Sequence, residues 1–151
     1  MRYVILHNIR SLHNIGSIFR TADGAGVDKI YLTGLTACPP RKEIAKVALG
    51  AENSVKWEYH PDPVKLIQKL KKQKIQILAL EKAPQSKAIT TFKAKRPFCL
   101  IVGNEVEGVY GELLHQADEV LKIPMHGKKE SLNVSVAFGV AIYSLGIFEK
   151  R

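Results

Sequence analysis

The stretch FCLIVGNEVEGV, residues 98–109, indicates the architecture of this chain. Its first five residues are a continuous apolar run, which is typical of a strand buried on both faces of a parallel sheet. The seven residues after it include three polar residues and two glycines, which predicts a tight loop at the end of that strand. Sheets of this kind are flanked by helices, so the residues on either side should alternate between strand and helix patterns.

The rest of the chain shows that alternation. Apolar residues at helical spacing begin at Ile15, and Asp62 followed by Pro63 is typical of a helix start. Further strands are predicted at residues 3–9, 29–33, 54–59, 75–80 and 119–123, helices at 14–25, 43–49, 110–116, after 62 and after 130, and connections at 36–41 and 84–96. We therefore predict an α/β fold with a mostly parallel sheet, flanking helices and a single domain over residues 1–151.

The chain is strongly basic. It has 23 Lys and Arg against 14 Asp and Glu, a formal net charge of +9. An excess of this size attracts polyanions, so nucleic acid is the favoured class of partner, although a role in solubility alone would also account for it. Cys38 and Cys99 do not form a CxxC pair, and the first residues turn polar too soon for a signal peptide, so we expect a cytoplasmic protein with free thiols.

The stretch ESLNVSVAFGVAIYSLGIF, residues 130–148, has no charged residue after its first. It could be a membrane span, a buried core helix, or a helix whose first turn takes part in chemistry. Its length just reaches that of a span, but Asn133, Ser135 and two glycines within it, and the α/β pattern before it, argue against one. A helix that is apolar on nearly every side is buried on nearly every side. We predict that one face meets the sheet and the other meets a second copy of the chain.

Three predicted strands end in unusual loops. These are HNIRSLHNIGSIFRTADGAG at residues 7–26, GNEVEGV at 103–109 and PMHGKKESLNVSVA at 124–137. Because open parallel sheets bind ligands at the carboxyl ends of their strands, all three loops should lie on one rim. Each also has a structural explanation, such as Asn14 or Ser131 acting only as a helix cap. Gly16 and Arg20, four residues apart, would instead allow an anionic ligand such as a phosphate to approach a guanidinium.

The three loops contain recognisable motifs. The first reads Asn-x-Gly-x-x-x-Arg, the second Gly-x-Glu-x-x-Gly, and the third Ile-Pro-Met-x-Gly followed by Ser-Leu-Asn-Val-Ser. The residues are Asn14, Gly16 and Arg20, then Gly103, Glu105 and Gly108, then Ile123, Pro124, Met125, Gly127 and residues 131–135. In order and spacing they resemble the three motifs of the SPOUT superfamily, specifically the TrmH (SpoU) family of RNA ribose methyltransferases, and the resemblance covers the whole chain.

The resemblance implies a deep trefoil knot in the C-terminal part of the fold, a rare exception to unknotted chains. It also implies a dimer, in agreement with the argument from the last helix. The cofactor would be S-adenosylmethionine, held by the second and third loops, and the product would be a 2′-O-methylated nucleotide in tRNA or rRNA. The implied cofactor-binding residues are Gly103, Asn104, Ile123, Met125, Ser131, Leu132 and Asn133.

The resemblance also implies catalytic roles. Arg20 would have the central one, either as a base or as a clamp on a substrate phosphate that also steadies the developing alkoxide. Asn14 would position the nucleotide or its hydroxyl, and Glu105 would hold either Arg20 or a donor at the site. Ser131 and Asn133 would begin the last helix, where side chains and free backbone N–H groups orient ligand atoms.

RNA contacts are expected from basic residues. The candidates are Arg20, Arg41, Lys128 and Lys129. The basic runs at 65–74 and 87–96 are either RNA-backbone tracks or solvated surfaces, and Trp57 and Tyr59 either stack on bases or pack in the fold. No metal site is expected, since the histidines lack ligand spacing, and no separate RNA-recognition domain is expected.

Other interpretations stay open at this point. The chain could be a knotted dimer that binds RNA without turnover, a methyltransferase acting on a base, or a small-nucleotide hydrolase, although the rim offers no nucleophile or metal site for the last. The minimal length is similar to that of wobble-position tRNA methyltransferases, whereas ESLNVSVA at residues 130–137 is similar to family members acting on guanosine. The two similarities point to different target nucleotides.

Overall fold

A computed structural model of the chain describes residues 1–95 and 97–146. Its strands are β1 (Arg2–His7), β2 (Lys29–Thr33), β3 (Trp57–His60), β4 (Gln76–Leu80), β5 (Lys87–Ala88), β6 (Phe98–Val102) and β7 (Glu119–Lys122). Its α-helices are α1 (Leu12–Ala25), α2 (Lys42–Ala48), α3 (Ala51–Ser54), α4 (Pro63–Lys72), α5 (Glu112–Gln116) and α6 (Val134–Ser144).

Within the described residues, all seven strands form one parallel sheet in the order β3-β2-β1-β6-β4-β7-β5. This confirms the predicted α/β class. Strand β6, the apolar run FCLIV, lies between β1 and β4, and all five of its residues are buried. One face of the sheet packs against α1, α2 and α6, and the other against α4 and α5. This two-sided burial is the reason that β6 is apolar at every position.

Several element boundaries differ from the prediction. β1 ends at His7 because Asn8 has a left-handed φ of 55°, and β3 begins three residues later than predicted, at Trp57. The predicted connection at 84–96 contains β5 and a 3₁₀ turn at Ile89–Thr91. A two-residue strand is too short to show any periodicity, so sequence patterns could not reveal it. The four-residue helix α3 was also not predicted, for the same reason.

Helix α1 begins two residues earlier than predicted, and its N-cap is Ser11. The Ser11 side chain accepts a hydrogen bond from the backbone N–H of Asn14 at 3.1 Å. The structural explanation of Asn14, that it only caps this helix, is therefore wrong. Instead, Asn14 lies in the first turn of α1. Its buried side chain contacts residues outside this helix.

Gly16 lies where α1 packs against α2. A Cβ atom at this position would be 2.5 Å from the carbonyl oxygen of Ile44 and 3.0 Å from the Cβ of Val47. The expectation that Gly16 leaves room for an anionic ligand beside Arg20 is therefore wrong, because the backbone of α2 fills that space. Arg20, one turn further along α1, is exposed.

Helix α6 is apolar on nearly every side, as predicted. Phe138, Ala141 and Ile142 are buried against the rest of the fold. Large apolar side chains also point outward, and they are Leu132 just before the helix and Val136, Val140 and Tyr143 within it. No helix of the described chain is long and apolar enough to cross a membrane. Residues 147 and 148 of the predicted uncharged stretch lie outside the described residues.

Both cysteines are free, as expected from their spacing. Burial raises the pKa of the Cys38 thiol, and complete burial in β6 raises the pKa of the Cys99 thiol further. A thiol that stays protonated is a poor nucleophile, so neither residue is suited to covalent chemistry.

Replacing Gly16 by Ala should lower the free energy of unfolding by about 1–3 kcal/mol, because α2 has no space for the added methyl group. Urea denaturation measures this change. Gly139→Ala is a matched control, since a Cβ there would be 3.6 Å from the Thr21 methyl group, an ordinary contact. We expect the control to be neutral or to stabilise by up to about 1 kcal/mol. Equal, small effects of both substitutions would contradict the close α1–α2 approach.

Candidate functional site

The three loops identified in the sequence meet at the carboxyl edge of the sheet. A pocket of about 380 Å³ opens there, beside the ends of β4, β6 and β7 and the start of α6. All seven residues implied as cofactor-binding line it: Gly103, Asn104, Ile123, Met125, Ser131, Leu132 and Asn133. The second and third loops thus form its walls, and the first loop lies behind the second.

The backbone of Gly103 lies close to that of Gly108, which closes the loop of residues 103–109. A Cβ atom on Gly103 would overlap the carbonyl group of Gly108, and Gly108 has a left-handed φ of 68°. The Gly108 N–H donates to the carbonyl oxygen of Asn104 at 2.8 Å. Both glycines are therefore required by the turn itself, which explains their spacing in the motif.

The side chain of Asn104 shapes this loop. Its Oδ1 accepts from the backbone N–H groups of Val106 at 2.8 Å and Glu107 at 3.0 Å. Its Nδ2 donates to the carbonyl oxygen of Asn8 at 2.8 Å, which joins the loop to the end of β1. Although Asn104 lines the pocket, its amide oxygen and nitrogen are both already engaged by the protein.

Glu105 joins the second loop to the first. Its Oε1 accepts from the backbone N–H of Ser11 at 3.2 Å and from Nδ2 of Asn14 at 3.4 Å, and its Oε2 lies 3.5 Å from the backbone N of Arg10. Of the two roles expected for Glu105, the structure shows the one in which it holds a donor, namely Asn14. In the described part of the chain it makes no ion pair with Arg20.

Asn14 and Asn133 connect the first and third loops. Nδ2 of Asn133 lies 3.4 Å from Oδ1 of Asn14, a long contact of the same length as the one from Asn14 to Glu105. A row of three polar side chains, Glu105, Asn14 and Asn133, therefore runs through all three motifs. Each of these side chains contacts the next at 3.4 Å.

Asn133, and not Ser131, is the N-cap of α6. Oδ1 of Asn133 accepts from the backbone N–H groups of Ser135 at 2.9 Å and Val136 at 3.4 Å, and from the Ser135 hydroxyl at 2.6 Å. The structural explanation of Ser131, that it only caps this helix, is therefore wrong. Ser131 is exposed and lies before the helix, on the wall of the pocket.

The cationic candidates lie on the surface. Arg20 is exposed and has no hydrogen bond or ion pair within the described residues, so its guanidinium is available to a ligand. It does not line the pocket of its own chain. Arg41 is half-exposed, with Nε 3.7 Å from a Glu43 carboxylate oxygen. Lys128 and Lys129 are exposed in the third loop.

Glu81 is a site residue that sequence reasoning missed. It follows β4 and lines the pocket, with its Oε2 accepting from the backbone N–H of Val109 at 2.8 Å. A glutamate after a strand resembles an ordinary solvated loop residue, so its residue type did not indicate a role in the site. Its position could have indicated one, because the carboxyl end of this predicted strand lies on the same rim as the other loops.

The two aromatic candidates, Trp57 and Tyr59, lie on β3. Trp57 is half-buried and packs against the core, whereas Tyr59 is 46% exposed and its hydroxyl donates to the carbonyl oxygen of Gly34 at 2.8 Å. Neither lines the pocket at the carboxyl edge. Among the described residues no group of three or more His, Cys, Asp or Glu side chains could hold a metal ion.

Comparison with known proteins gives consistent matches. The family model described as the SpoU rRNA Methylase family matches residues 1–143. A tRNA (guanosine(18)-2′-O)-methyltransferase of Aquifex aeolicus is 34% identical over 141 residues, which are 93% of this chain and 66% of that protein. The chain spans 57% to 66% of the length of the curated relatives it matches.

Two solved structures are also similar. One is an AdoMet-bound rRNA methyltransferase from Sinorhizobium meliloti, with a TM-score of 0.84 and 28% identity over 95% of this chain and 54% of that one. The other is described as giving insight into the 2-OH methylation of C/U34 on tRNA. It has a TM-score of 0.82 and 26% identity over 95% of this chain and 92% of that one.

Substituting Asn133 by Ala should lower the free energy of unfolding by about 1 kcal/mol, because α6 loses its N-cap. Ser131→Ala is the matched control two residues away, and it should change stability by less than about 0.5 kcal/mol because Ser131 is exposed and outside the helix. Urea denaturation of both variants shows which of the two residues caps α6. The reverse order of effects would identify Ser131 as the cap.

Proposed function

Because the chain belongs to the SpoU rRNA methylase family, we propose that it transfers a methyl group from S-adenosylmethionine to a ribose 2′-hydroxyl of RNA, releasing S-adenosylhomocysteine and the hydroxyl proton. The observation that supports this most is that the second and third motif loops line one pocket, while Asn14 of the first loop contacts Glu105 and Asn133 of the other two. The relative from Aquifex aeolicus is named as a 2′-O-methyltransferase of tRNA, and other relatives are named as 2′-O-methyltransferases of 23S rRNA. We propose tRNA or rRNA as the substrate class.

The pocket fits S-adenosylmethionine. Its volume lies within the range of roughly 300–1,000 Å³ that is usual for small-molecule sites. Gly103 allows the loop to close tightly against the Gly108 carbonyl group at the pocket wall, while Val102, Ile123 and Leu132 supply apolar surface. The similar rRNA methyltransferase from Sinorhizobium meliloti is described as AdoMet-bound. When bound, the cofactor would supply the methyl carbon, and residues of the loops at 103–109 and 123–133 would hold it.

The polar row through the three motifs would position the reacting groups. Asn14 is buried, and its amide contacts Glu105 on one side and Asn133 on the other, each at 3.4 Å, which favours one orientation of the amide. An amide fixed in this way can orient the ribose hydroxyl or the nucleotide that presents it. The backbone N–H groups at the start of α6 donate to the Asn133 cap, which fixes the helix end beside the pocket.

We propose that Arg20 clamps a substrate phosphate and stabilises the developing alkoxide. A guanidinium remains protonated in proteins, which favours this role over that of a base. Its exposure and lack of a partner among the described residues leave its charge available to RNA. The net charge of +9 and the exposed Arg41, Lys128 and Lys129 would add sequence-independent attraction to the RNA backbone.

We further propose a homodimer through α6. Val136, Val140 and Tyr143 are 51%, 40% and 38% exposed, an apolar face that a second copy of the helix would bury. Helix α1 packs beside α6, with Thr21 next to Gly139. Arg20 precedes Thr21 in α1, so dimerisation through α6 would bring Arg20 towards the second protomer. This arrangement would account for a catalytic Arg20 that does not line its own pocket.

The remaining expectations about the fold are part of the same proposal. We propose that residues 1–151 are a single methyltransferase domain whose C-terminal part is threaded as a deep trefoil knot, and that the protein works in the cytoplasm. The family resemblance supports the knot, and the single sheet with helices on both faces supports the single domain.

The first test is methyl transfer from labelled S-adenosylmethionine to unmodified tRNA and rRNA transcripts, followed by digestion to nucleosides and mass analysis. We expect the label on a ribose. Arg20→Ala should lower the rate by about 100-fold or more while the cofactor Kd stays unchanged, because the charge stabilising the alkoxide is lost. Arg20→Lys should be intermediate, since it keeps the charge without the planar fork.

Lys46→Ala is the control for this experiment, as it removes an exposed cation from the neighbouring helix α2 and should leave the rate within about twofold. Label on a base would overturn the proposed reaction, and cofactor binding without transfer to any RNA would favour a non-catalytic binder. Full activity of Arg20→Ala would remove Arg20 from the mechanism.

Val140→Glu should convert the dimer to a monomer, because it places a carboxylate in the apolar face of α6. Sedimentation equilibrium measures the change. Leu49→Glu is the matched control, since Leu49 is 66% exposed at the end of α2 and lies outside that face. A monomeric wild-type protein, or a Val140→Glu protein that is still dimeric, would contradict dimerisation through α6.

A further inference from the structure

The loop of residues 103–109 is held by two carboxylates from opposite directions. Glu105 reaches outward from the loop to the start of α1, and Glu81 reaches into the loop from the end of β4. The first of these belongs to the second motif, whereas Glu81 belongs to none. We propose that Glu81 is a positioning residue that sets the conformation of this loop and thereby the shape of the cofactor pocket. Its importance for cofactor binding rests on the proposed function.

The contacts of Glu81 support this role. Oε2 accepts from the backbone N–H of Val109 at 2.8 Å, and Oε1 accepts from the N–H of Lys82 at 2.9 Å. The backbone N–H of Glu81 donates to the carbonyl oxygen of Leu121 in β7 at 2.9 Å, so the residue is itself fixed to the sheet. A charged acceptor forms stronger hydrogen bonds to peptide N–H groups than a neutral one. Glu81 therefore ties the end of the loop to the end of a central strand.

The glycine at position 108 gives independent support. A Cβ atom on Gly108 would overlap the Glu81 carboxylate, so the carboxylate occupies the space that a side chain would need. Gly108 also has a φ of 68°, and its carbonyl group lies against Gly103. Glu81 thus packs against Gly108, and Gly108 packs against Gly103. A shift of Glu81 would therefore move the backbone that lines the pocket.

A carboxylate in this position could alternatively be an ordinary turn residue with no effect on the site. The two interpretations predict different effects of its removal. Loss of a turn residue would affect only its own segment, whereas loss of a positioning residue would affect the Val109 amide and the affinity of the pocket together. The amide is 28 residues away in sequence, so an effect there must act through space.

The experiment compares Glu81→Ala and Glu81→Gln with Glu112→Gln in the intact protein. Glu112 is an exposed carboxylate on α5 whose side chain contacts Gln116 and does not line the pocket. Amide hydrogen exchange, followed by NMR, reports on the Val109 N–H without any ligand. Calorimetric titration with S-adenosylhomocysteine reports on the pocket, and urea denaturation confirms that each variant is folded.

For Glu81→Ala we expect exchange at Val109 to accelerate about tenfold or more, and the Kd for S-adenosylhomocysteine to rise by a similar factor, as for loss of a charged hydrogen bond. Glu81→Gln keeps one acceptor oxygen and should fall between Glu81→Ala and the wild type. Glu112→Gln should match the wild type in both measurements. Unchanged exchange at Val109 in a folded Glu81→Ala protein would overturn the positioning role.

A double-mutant cycle with Gly108→Ala provides a second test. In the wild-type background this change forces the new methyl group against the Glu81 carboxylate and strains φ, whereas in the Glu81→Ala background only the strained φ remains. Gly108→Ala should therefore raise the Kd by a smaller factor when Glu81 is absent. Fully additive effects would show that the two positions are not coupled and would contradict the proposal.

The two readouts separate this proposal from the proposed function. If the wild-type protein does not bind S-adenosylhomocysteine, the methyltransferase assignment fails, and with it the role of Glu81 in cofactor binding. The exchange data would still decide whether Glu81 orders the loop. If the wild type binds and Glu81→Ala binds equally well, the methyltransferase assignment stands and only the role of Glu81 is overturned.

Discussion

Parallel pairing of β6 with both β1 and β4 is the constraint on which the candidate site depends. The register places Leu6 opposite Val102 and Ala79 opposite Ile101, so these strands end together at one edge of the sheet. β7 joins the same edge through its pairing with β4. Since hydrogen-bonded strands lie about 4.8 Å apart, the loops that follow them begin within reach of one another. The location of the pocket therefore depends on the strand order more than on any single loop residue.

Side-chain carboxylates and amides then fix the loops by satisfying backbone groups that the turns leave unpaired. Glu81, Asn104 and Asn133 accept from the N–H groups of Val109, Val106 and Ser135 in turn. The contact to Val109 is partly buried, where an N–H group without a partner would be unfavourable, and the other two contacts hold their turns at the surface. Most polar side chains at the site therefore shape the backbone, and the backbone they shape forms much of the pocket wall.

The sequence predicted the parallel sheet, the exact limits of β2 and β6, and the convergence of three loops on one rim. The sequence-based prediction failed where two nearby residues were equally suitable for the same role. Ser11 and Asn14 are both favourable N-cap residues, and only the path of the chain after β1 decides between them. It also failed where the deciding contact is distant in sequence. Gly16 is required by α2, and Glu81 is placed by an amide in another loop, so neither reason is visible in a local pattern.

Helix α6 links the pocket to the proposed dimer. Its 11 residues span roughly 16 Å, and an isolated helix of this length is marginal in water, so its order depends on what packs against it. Phe138, Ala141 and Ile142 anchor one side to the protomer, while Val136 and Val140 leave the other side incompletely covered. Burying that side in a dimer would stabilise the helix as a whole, including its N-terminal turn. Because Asn133 caps that turn and lines the pocket, the interface and the cofactor site would be ordered by the same packing.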